Sequence, residues 1–270
     1  MRNVIKQCIA NGIRISYEER GSGEPLILIM GLGAPGSKWE PHIQAYEKHF
    51  RCISIDNRGA GLSDKPEAVG YTIEQMANDV LGVMDALGID SAYIHGISMG
   101  GAIAQRIAID HPERVRAMVL TSTFARPNVS FRRAIEALRD CCGQVDGKTQ
   151  GRLCQWMIYA FPFQDAHEDY MLEDEAKDAA NPNPMPDYAY RAQCNAILGH
   201  DALAELSKIQ APTLVAGGDS DLLAPMKITM ELYHAIPNAD LYVCKDGGHV
   251  HHWEKLEDFN RVTLDFLLKH

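Results

Sequence analysis

The chain has 270 residues, of which 46% are hydrophobic and 23% are charged, and its formal net charge is -10 at pH 7. This length fits one large α/β domain, with or without an insertion, as well as it fits two small domains. The core it allows needs no metal or disulfide to stabilise it. The negative charge argues against nucleic acid and anionic membranes as partners, because both would repel the chain.

The start of the chain and its cysteines indicate the cellular compartment of the protein. The first twenty residues lack the apolar run of a signal peptide, and no stretch approaches the roughly 20 apolar residues of a membrane span. The seven cysteines are an odd number, and Cys141 and Cys142 are adjacent, which is not typical of a secreted disulfide framework. We therefore expect a cytoplasmic protein with reduced thiols and no membrane association.

Short apolar runs alternate with helical periodicity through much of the chain. Asn11-Gly12 is a two-residue turn signal and Ile13–Tyr17 follows it, so a β-hairpin is predicted at the start of the chain. Thr72 and Gln75 resemble a capping box that begins a helix, and Gly88 would end it. Buried strands are predicted at Leu26–Met30, Arg51–Ile55, Ala92–Ile97, Ala117–Thr121, Pro212–Gly217 and Leu241–Lys245.

The alternation is interrupted between about Ala125 and Ala204, where the periodicity is helical and no strand is convincing. Phe161-Pro162-Phe163 and the proline-rich run 181–186 break this region into separate helices. Strands that alternate with helices imply a parallel sheet. We therefore predict an α/β fold with a mostly parallel central sheet flanked by helices. Its core would be residues 1–124 and 205–270, with a helical cap, residues 125–204, inserted in it.

The strongest chemical signal is Gly96-Ile97-Ser98-Met99-Gly100, which closes one predicted strand and opens a helix over Ala102–Asp110. In such a sharp turn the serine hydroxyl stands clear of the sheet, and the glycines permit the strand and the helix to cross closely. The pentapeptide alone is weak evidence, and a purely structural turn is the alternative. The flanking strand and helix favour Ser98 as a nucleophile.

A serine nucleophile needs a base, and His249 is the best placed of the eleven histidines. It follows the apolar run Leu241–Cys244, and catalytic groups collect at the carboxyl ends of parallel strands. His251 and His252 are the competitors; they are expected to face solvent or to pack against the last helix. No acidic residue at ligand spacing supports a metal site formed by the three histidines, so no metal is expected.

The base in turn needs a carboxylate that fixes its tautomer. Asp219 and Asp221 both follow the strand Pro212–Gly217. We favour Asp221, which lies beyond the turn, and expect Asp219 to cap the turn instead.

These motifs together resemble the α/β-hydrolase family over nearly the whole chain. The resemblance rests on the strand order, on G-x-S-x-G, on the G-x-x-D-x-x-x-P segment from Gly218 to Pro225 and on Gly247-Gly248-His249. The segment 56–63 is similar to the family's D-x-R-G-x-G-x-S loop, which we expect to be architectural and held by Asp56 and Arg58. The family order of Ser, Asp and His is also matched.

An acyl-transfer site also needs donors for the oxyanion, commonly two backbone N–H groups. Met99 would supply one because it follows the nucleophile. The resemblance implies Leu32 as the other, although this chain has Met30-Gly31 where family members usually carry His-Gly. The glycine-rich loop 31–36 lacks both G-x-G-x-x-G and a Walker lysine, so no nucleotide or other cofactor is expected.

The predicted cap contributes candidates for substrate contact. Trp156 and Tyr159 lie three residues apart, so on one helix they would share a face and roof the pocket. The alternative is that they only pack one cap helix against another.

The leading expectation is a serine hydrolase that cleaves a small carboxylic ester or lactone, similar to carboxylesterases and enol-lactone hydrolases. Carbon–carbon bond hydrolases and cofactor-free perhydrolases use the same three residues, so those reactions are alternatives. A ligand sensor that keeps the fold but turns over slowly is an alternative from another functional class. Turnover of short p-nitrophenyl esters separates the enzyme from the sensor.

Overall fold

One eight-stranded sheet forms the centre of the computed structural model, which describes residues 5–67 and 70–270. The first four residues, assigned to the core from the sequence, lie outside the described residues. The order across the sheet is β1-β2-β4-β3-β5-β6-β7-β8. The strands are β1 (Ile5–Ala10), β2 (Ile13–Gly21), β3 (Glu24–Ile29), β4 (Phe50–Ile55), β5 (Ala92–Ile97), β6 (Val115–Thr121), β7 (Thr213–Gly218) and β8 (Ala239–Cys244).

The sheet is parallel except at its amino-terminal edge. β1 and β2 form an antiparallel hairpin around Asn11-Gly12, and β2 pairs antiparallel with β4. All other neighbours pair parallel, which places the carboxyl ends of β3 to β8 along one edge. The predicted hairpin and the predicted mostly parallel sheet are confirmed.

Helices cover both faces of the sheet because its central strands are apolar on both sides. Leu26 and Leu28 of β3 face one cluster of buried side chains, whereas Ile27 and Ile29 face the other. The helices are α1 (Glu40–Tyr46), α2 (Ile73–Ala86), α3 (Met99–Asp110), α4 (Val129–Cys141), α5 (Gly147–Ile158), α6 (Phe161–Ala166), α7 (Glu168–Ala179), α8 (Asp187–Gly199), α9 (Met226–Ala235), α10 (His251–Glu254) and α11 (Leu256–Lys269). α1 and α11 contribute to the first cluster, and α2, α3 and α9 to the second.

The start of α2 shows how local sequence sets a boundary. Thr72 Oγ1 accepts a hydrogen bond from Gln75 N at 3.1 Å, which satisfies one of the free N–H groups of the first turn. The Gln75 side chain does not complete the capping box, since its Oε1 accepts from Arg58 Nη1 at 3.2 Å. Gly88 follows the helix with φ +65°, the left-handed conformation expected of a glycine there.

Five helices, α4 to α8, lie between β6 and β7 and form what we call the inserted segment, residues 125–204. Its two ends are joined by the hydrogen bond from Ala202 N to Ala125 O, 2.9 Å long. α4 and α8 pack side by side. None of the described helices is long and apolar enough to cross a membrane.

Candidate active site

Ser98 occupies the sharp turn between β5 and α3. Its backbone has φ 54° and ψ −117°, a conformation that is rare for residues other than glycine. Two hydrogen bonds hold it: Ser98 N donates to Thr121 O at 2.9 Å, and Thr123 Oγ1 donates to Ser98 O at 2.7 Å. A Cβ on Gly100 would lie 2.1 Å from Ile29 O, so the close crossing requires glycine there.

His249 and Asp221 form a buried pair at the carboxyl ends of β8 and β7. His249 Nδ1 lies 2.8 Å from Asp221 Oδ2, while Asp221 Oδ1 accepts from Leu223 N and Ala224 N, both at 2.8 Å. The carboxylate is therefore held by three hydrogen bonds, two of them from rigid backbone. An ionised Asp221 requires the proton of the neutral ring to be on Nδ1, which leaves Nε2 as an acceptor.

Asp219, the competing aspartate, has a different role. It is exposed, and its Oδ1 accepts from Asp246 N at 2.8 Å and from Ser220 Oγ at 3.1 Å. These contacts connect the turns that follow β7 and β8. The structure brings Asp221, and not Asp219, to the ring of His249.

His251 and His252 pack inward against the last helix and do not face solvent. Their rings lie 5.5 and 5.9 Å from the ring of Phe259, centroid to centroid, and both side chains are buried. Burial lowers the pKa of His251 to about 4 and that of His252 well below its usual value, so both are neutral near pH 7. Among the described residues, no group of three or more His, Cys, Asp or Glu side chains is arranged to hold a metal ion.

The serine hydroxyl and the histidine ring are not joined directly. In the part of the chain that the structure describes, no hydrogen bond connects Ser98 Oγ to His249, whose ring bonds to Asp221. Catalytic hydrogen bonds are often long before substrate binds and tighten afterwards. The Ser98–His249 contact therefore stays a prediction for the substrate complex.

The loop that carries Leu32, one of the two expected oxyanion donors, lies against the serine, and Met99, the other, follows it in the chain. A Cβ on Gly31 would lie 3.1 Å from Ser98 Cβ and 3.6 Å from Ser98 Oγ, so the loop after β3 lies directly against the nucleophile. Among the described residues, neither Leu32 N nor Met99 N has a hydrogen-bond acceptor. Two unpaired N–H groups beside a serine can stabilise a negative oxygen.

The inserted segment contacts the loops on both sides of Ser98 through two side chains that the sequence analysis missed. Glu254 accepts from Gly248 N and from Ala160 N, both at 2.8 Å, and so joins the histidine loop to this segment. Gln193, on α8, accepts from Gly33 N at 2.8 Å. No local motif marks either residue, because their partners are mostly remote in sequence.

The prediction that Trp156 and Tyr159 share one helix face is wrong. α5 ends at Ile158, and Tyr159 has extended backbone with φ −90° and ψ 140°. The chain leaves the helix there because Ile158 O accepts from Val250 N at 3.1 Å, which draws it toward the histidine loop. Tyr159 is buried and stacks on Phe163 at 5.2 Å between ring centroids, whereas Trp156 is 52% exposed.

Comparisons with known proteins agree with this architecture. Residues 24–140 match the family model described as alpha/beta hydrolase fold. A protein of Variovorax paradoxus (strain S110) named "Putative carbamate hydrolase RutD" is 31% identical over 261 residues, which cover 94% of this chain and 96% of that protein.

Two solved structures extend the comparison. The enol-lactonase from Burkholderia xenovorans LB400 is 29% identical, with a TM-score of 0.85 over 97% of this chain and 100% of that one. The meta-cleavage product hydrolase CumD from Pseudomonas fluorescens IP01 is 27% identical, with a TM-score of 0.84 over 98% of this chain and 97% of that one. By its sequence similarity over nearly its full length and by its fold, the chain belongs to the α/β-hydrolase family.

Proposed function

We propose that this hydrolase cleaves a small carboxylic ester or lactone through an acyl-enzyme on Ser98. The observation that carries the proposal is the buried Asp221–His249 pair, 2.8 Å from Oδ2 to Nδ1, at the same sheet edge as a serine in a strained turn. Each role of a catalytic triad then has one residue in a suitable environment.

Acylation starts at the serine hydroxyl. His249 Nε2 takes the proton of Ser98 Oγ as the oxygen attacks the substrate carbonyl carbon, and Asp221 stabilises the imidazolium that results. The carbonyl oxygen becomes an oxyanion, which the N–H groups of Leu32 and Met99 stabilise. When the intermediate collapses, the bond to the alkoxy oxygen breaks and His249 donates its proton to that oxygen.

Deacylation repeats the same steps with water. His249 takes a proton from a water molecule, whose oxygen attacks the acyl carbon, and the Ser98 ester bond breaks. The proton returns to Ser98 Oγ, and the carboxylic acid leaves. In a lactone the alcohol product remains attached to the acyl group, so both functional groups depart as one hydroxy acid.

The enclosure of the site supports a small substrate. Ser98 is 8% exposed and His249 4%, because the inserted segment lies against the loops around them. This segment acts as the cap over the site. Of the two cap residues singled out from the sequence, the buried Tyr159 is the substrate contact that we propose, and Trp156, which is 52% exposed, is not. A site enclosed in this way takes a compact ester or lactone more readily than a long triglyceride.

The relatives support a carbonyl substrate but differ in the bond that they cleave. The enol-lactonase favours a lactone, and so does Est816, an N-acyl homoserine lactone degrading enzyme whose structure is 29% identical to this chain. The RutD protein is named for carbamates, and CumD for a meta-cleavage product, which makes a carbamate and a carbon–carbon bond the second candidates. Hydrolysis of an ester, a lactone, a carbamate or a meta-cleavage product can each proceed through attack of Ser98 on a carbonyl carbon.

A fluorophosphonate probe followed by a substrate panel tests the proposal. The native protein should be labelled on Ser98, and Ser98→Ala should not be labelled. The panel contains p-nitrophenyl acetate, butyrate and octanoate, five- and six-membered lactones, an aryl carbamate and a vinylogous diketone. The highest kcat/KM on an ester or lactone supports the proposal, whereas a preference for the carbamate or the diketone would replace it. Absence of both labelling and turnover would reject a serine hydrolase.

A further inference from the structure

Gln193 connects the inserted segment to two separate loops of the core. Its side chain is fully buried, with Oε1 2.8 Å from Gly33 N and Nε2 2.8 Å from Arg58 O. The first partner lies 160 residues away in sequence and the second 135. One side chain thus fixes the positions of α8, the loop after β3 and the loop after β4 relative to one another.

The contact at Gly33 lies next to a proposed oxyanion donor. Gly33 N belongs to the peptide that joins Leu32 to Gly33, so anchoring it restricts the orientation of the Leu32 backbone. Gly33 has φ +71°, and a Cβ there would lie 3.3 Å from the Tyr190 ring. Tyr190 and Gln193 are three residues apart on α8, and the same helix face therefore covers the loop.

The contact at Arg58 lies on a rigid part of the core. The Arg58 guanidinium forms a buried, two-pronged ion pair with Asp79 of α2, with Nε and Nη2 each 2.6 Å from a carboxylate oxygen. Asn57 Nδ2 donates to Met30 O at 2.9 Å and ties the same loop to the end of β3. The Arg58 carbonyl is therefore a fixed reference against which Gln193 sets the glycine-rich loop.

Only one orientation of the Gln193 amide satisfies both partners. The amide oxygen faces an N–H group and the amide nitrogen faces a carbonyl. A flipped amide would oppose donor to donor and acceptor to acceptor in a site without solvent, which is strongly unfavourable. This requirement makes glutamine, and not a residue that is only apolar and of similar size, suited to the position.

We propose that Gln193 is a positioning residue that couples seating of the inserted segment to assembly of the oxyanion hole. When α8 is seated, Gly33 is anchored and the Leu32 N–H is aimed at the oxyanion. When it lifts, the anchor is lost and the hole is incomplete. The inference rests on the proposed serine-hydrolase function and adds a control of that site: the oxyanion hole is complete only when α8 is in place.

Gln193→Met tests the coupling, because methionine has a similar length and forms neither hydrogen bond. We expect kcat for the best ester or lactone to fall by about tenfold or more, less than the loss of an oxyanion donor itself, roughly 10²–10³. KM should change by less than about threefold, since the donor acts on the transition state more than on the bound substrate. The matched control is Gln155→Met, which removes a bond within the inserted segment, from Gln155 Nε2 to Met171 O at 3.1 Å, and should retain native kcat.

Gln193→Glu supplies a second readout, taken only at pH values at which circular dichroism shows the variant to be folded. A protonated carboxyl can accept from Gly33 N and donate to Arg58 O, whereas the ionised form opposes a negative oxygen to the Arg58 carbonyl. Burial raises the pKa of such a carboxyl, so the switch falls within a measurable range. The ratio of variant to native kcat should therefore rise as pH is lowered from 8 to 5.5.

The outcomes separate this inference from the proposed function. If the native protein is neither labelled at Ser98 by the fluorophosphonate nor active on the panel, both fall. If it is labelled and active, and a folded Gln193→Met retains kcat within threefold, the coupling is overturned while the function stands. If Gln193→Met does not fold, the Gln193→Glu ratio decides, and a ratio that does not change with pH overturns the coupling.

Discussion

Ser98 combines a strained backbone with an enclosed side chain. Its positive φ costs on the order of 1–3 kcal/mol, and the hydrogen bonds to Thr121 and Thr123 hold the turn in place. Natural proteins accept such strain where it serves function, and here it holds Ser98 in the sharp turn between β5 and α3. A glycine in this turn would relieve the strain, whereas an alanine would retain it.

Two substitutions separate catalysis from strain at this residue. Ser98→Ala should lower kcat by on the order of 10⁴–10⁶ while the unfolding free energy stays within about 0.5 kcal/mol of native. Ser98→Gly should be equally inactive but more stable than Ser98→Ala by about 1 kcal/mol, because glycine adopts positive φ freely. Ester kinetics and urea unfolding check both. Residual turnover within tenfold of native would show that another residue is the nucleophile.

The two aspartates after β7 should respond differently to removal of their charge. Asp221→Asn leaves the shape unchanged but lets the amide NH₂ face His249 Nδ1, which favours the wrong tautomer, so kcat should fall by about 10⁴. Asp219→Asn should keep kcat within about threefold, since Asp219 only connects two exposed turns through Asp246 N. Its effect should appear as a small loss in thermal stability. Equal losses of kcat, or the reverse order, would contradict the assignment.

At the scale of elements, the strands and the hairpin were predictable because their signals are local. The apolar runs, the Asn11-Gly12 turn and the glycines around Ser98 each act within a few residues, and β5 begins and ends where the sequence predicts. A break after α5 was also predicted, from Phe161-Pro162-Phe163, but not the residue at which it falls. The helix ends at Ile158, whose carbonyl oxygen accepts a hydrogen bond from Val250 N, in a loop remote in the sequence.

The early end of α5 changes what its neighbours should do for substrate selection. Tyr159 is buried beside the strand-to-loop connection that carries His249, whereas Trp156 is half exposed. Tyr159→Ala should therefore change the ratio of kcat/KM between acetyl and octanoyl esters by about fivefold or more, the equivalent of roughly 1 kcal/mol of discrimination. Trp156→Ala is the matched comparison and should change the ratio by less than about twofold. An unaltered ratio in Tyr159→Ala would reject Tyr159 as a substrate contact.

At the scale of the whole molecule, the proposed catalytic residues were easier to predict than the residues that hold the surrounding loops together. Ser98, Asp221 and His249 each lie in a short motif at the end of a strand, and the parallel sheet brings strand ends to one edge. Gln193 and Glu254 lie in no motif, and their contacts reach residues up to 160 and 94 positions away. Such contacts depend on how the inserted segment docks, which only the folded chain determines.

The buried histidines make the stability of the molecule depend on pH. Burial lowers the pKa of His42, His200 and His251 to about 4, and those of His95 and His252 well below the usual value. Unfolding exposes these rings and returns their pKa to about 6.5, so below that pH the unfolded chain binds more protons than the native one. Above about pH 6.5 these rings therefore do not reduce the free energy of unfolding. Below that pH the free energy of unfolding falls progressively as the pH is lowered toward 4.

His200 offers a direct test of this linkage, because in the described part of the chain neither of its ring nitrogens has a hydrogen-bond partner. His200→Leu removes a titrating group without breaking a bond and keeps an apolar side chain near Phe124, whose ring centroid lies 5.9 Å from that of His200. Urea unfolding at pH 7.5 and 5.5 should show that the native protein loses about 1.4 kcal/mol more stability than the variant over this interval. At pH 7.5 the variant should be at least as stable as the native protein, since it no longer buries the unpaired imidazole of His200.

The control is His49→Leu, which removes an exposed imidazole and should leave the native pH dependence of stability intact. The same loss of stability in His200→Leu as in the native protein would show that His200 does not remain neutral in the fold.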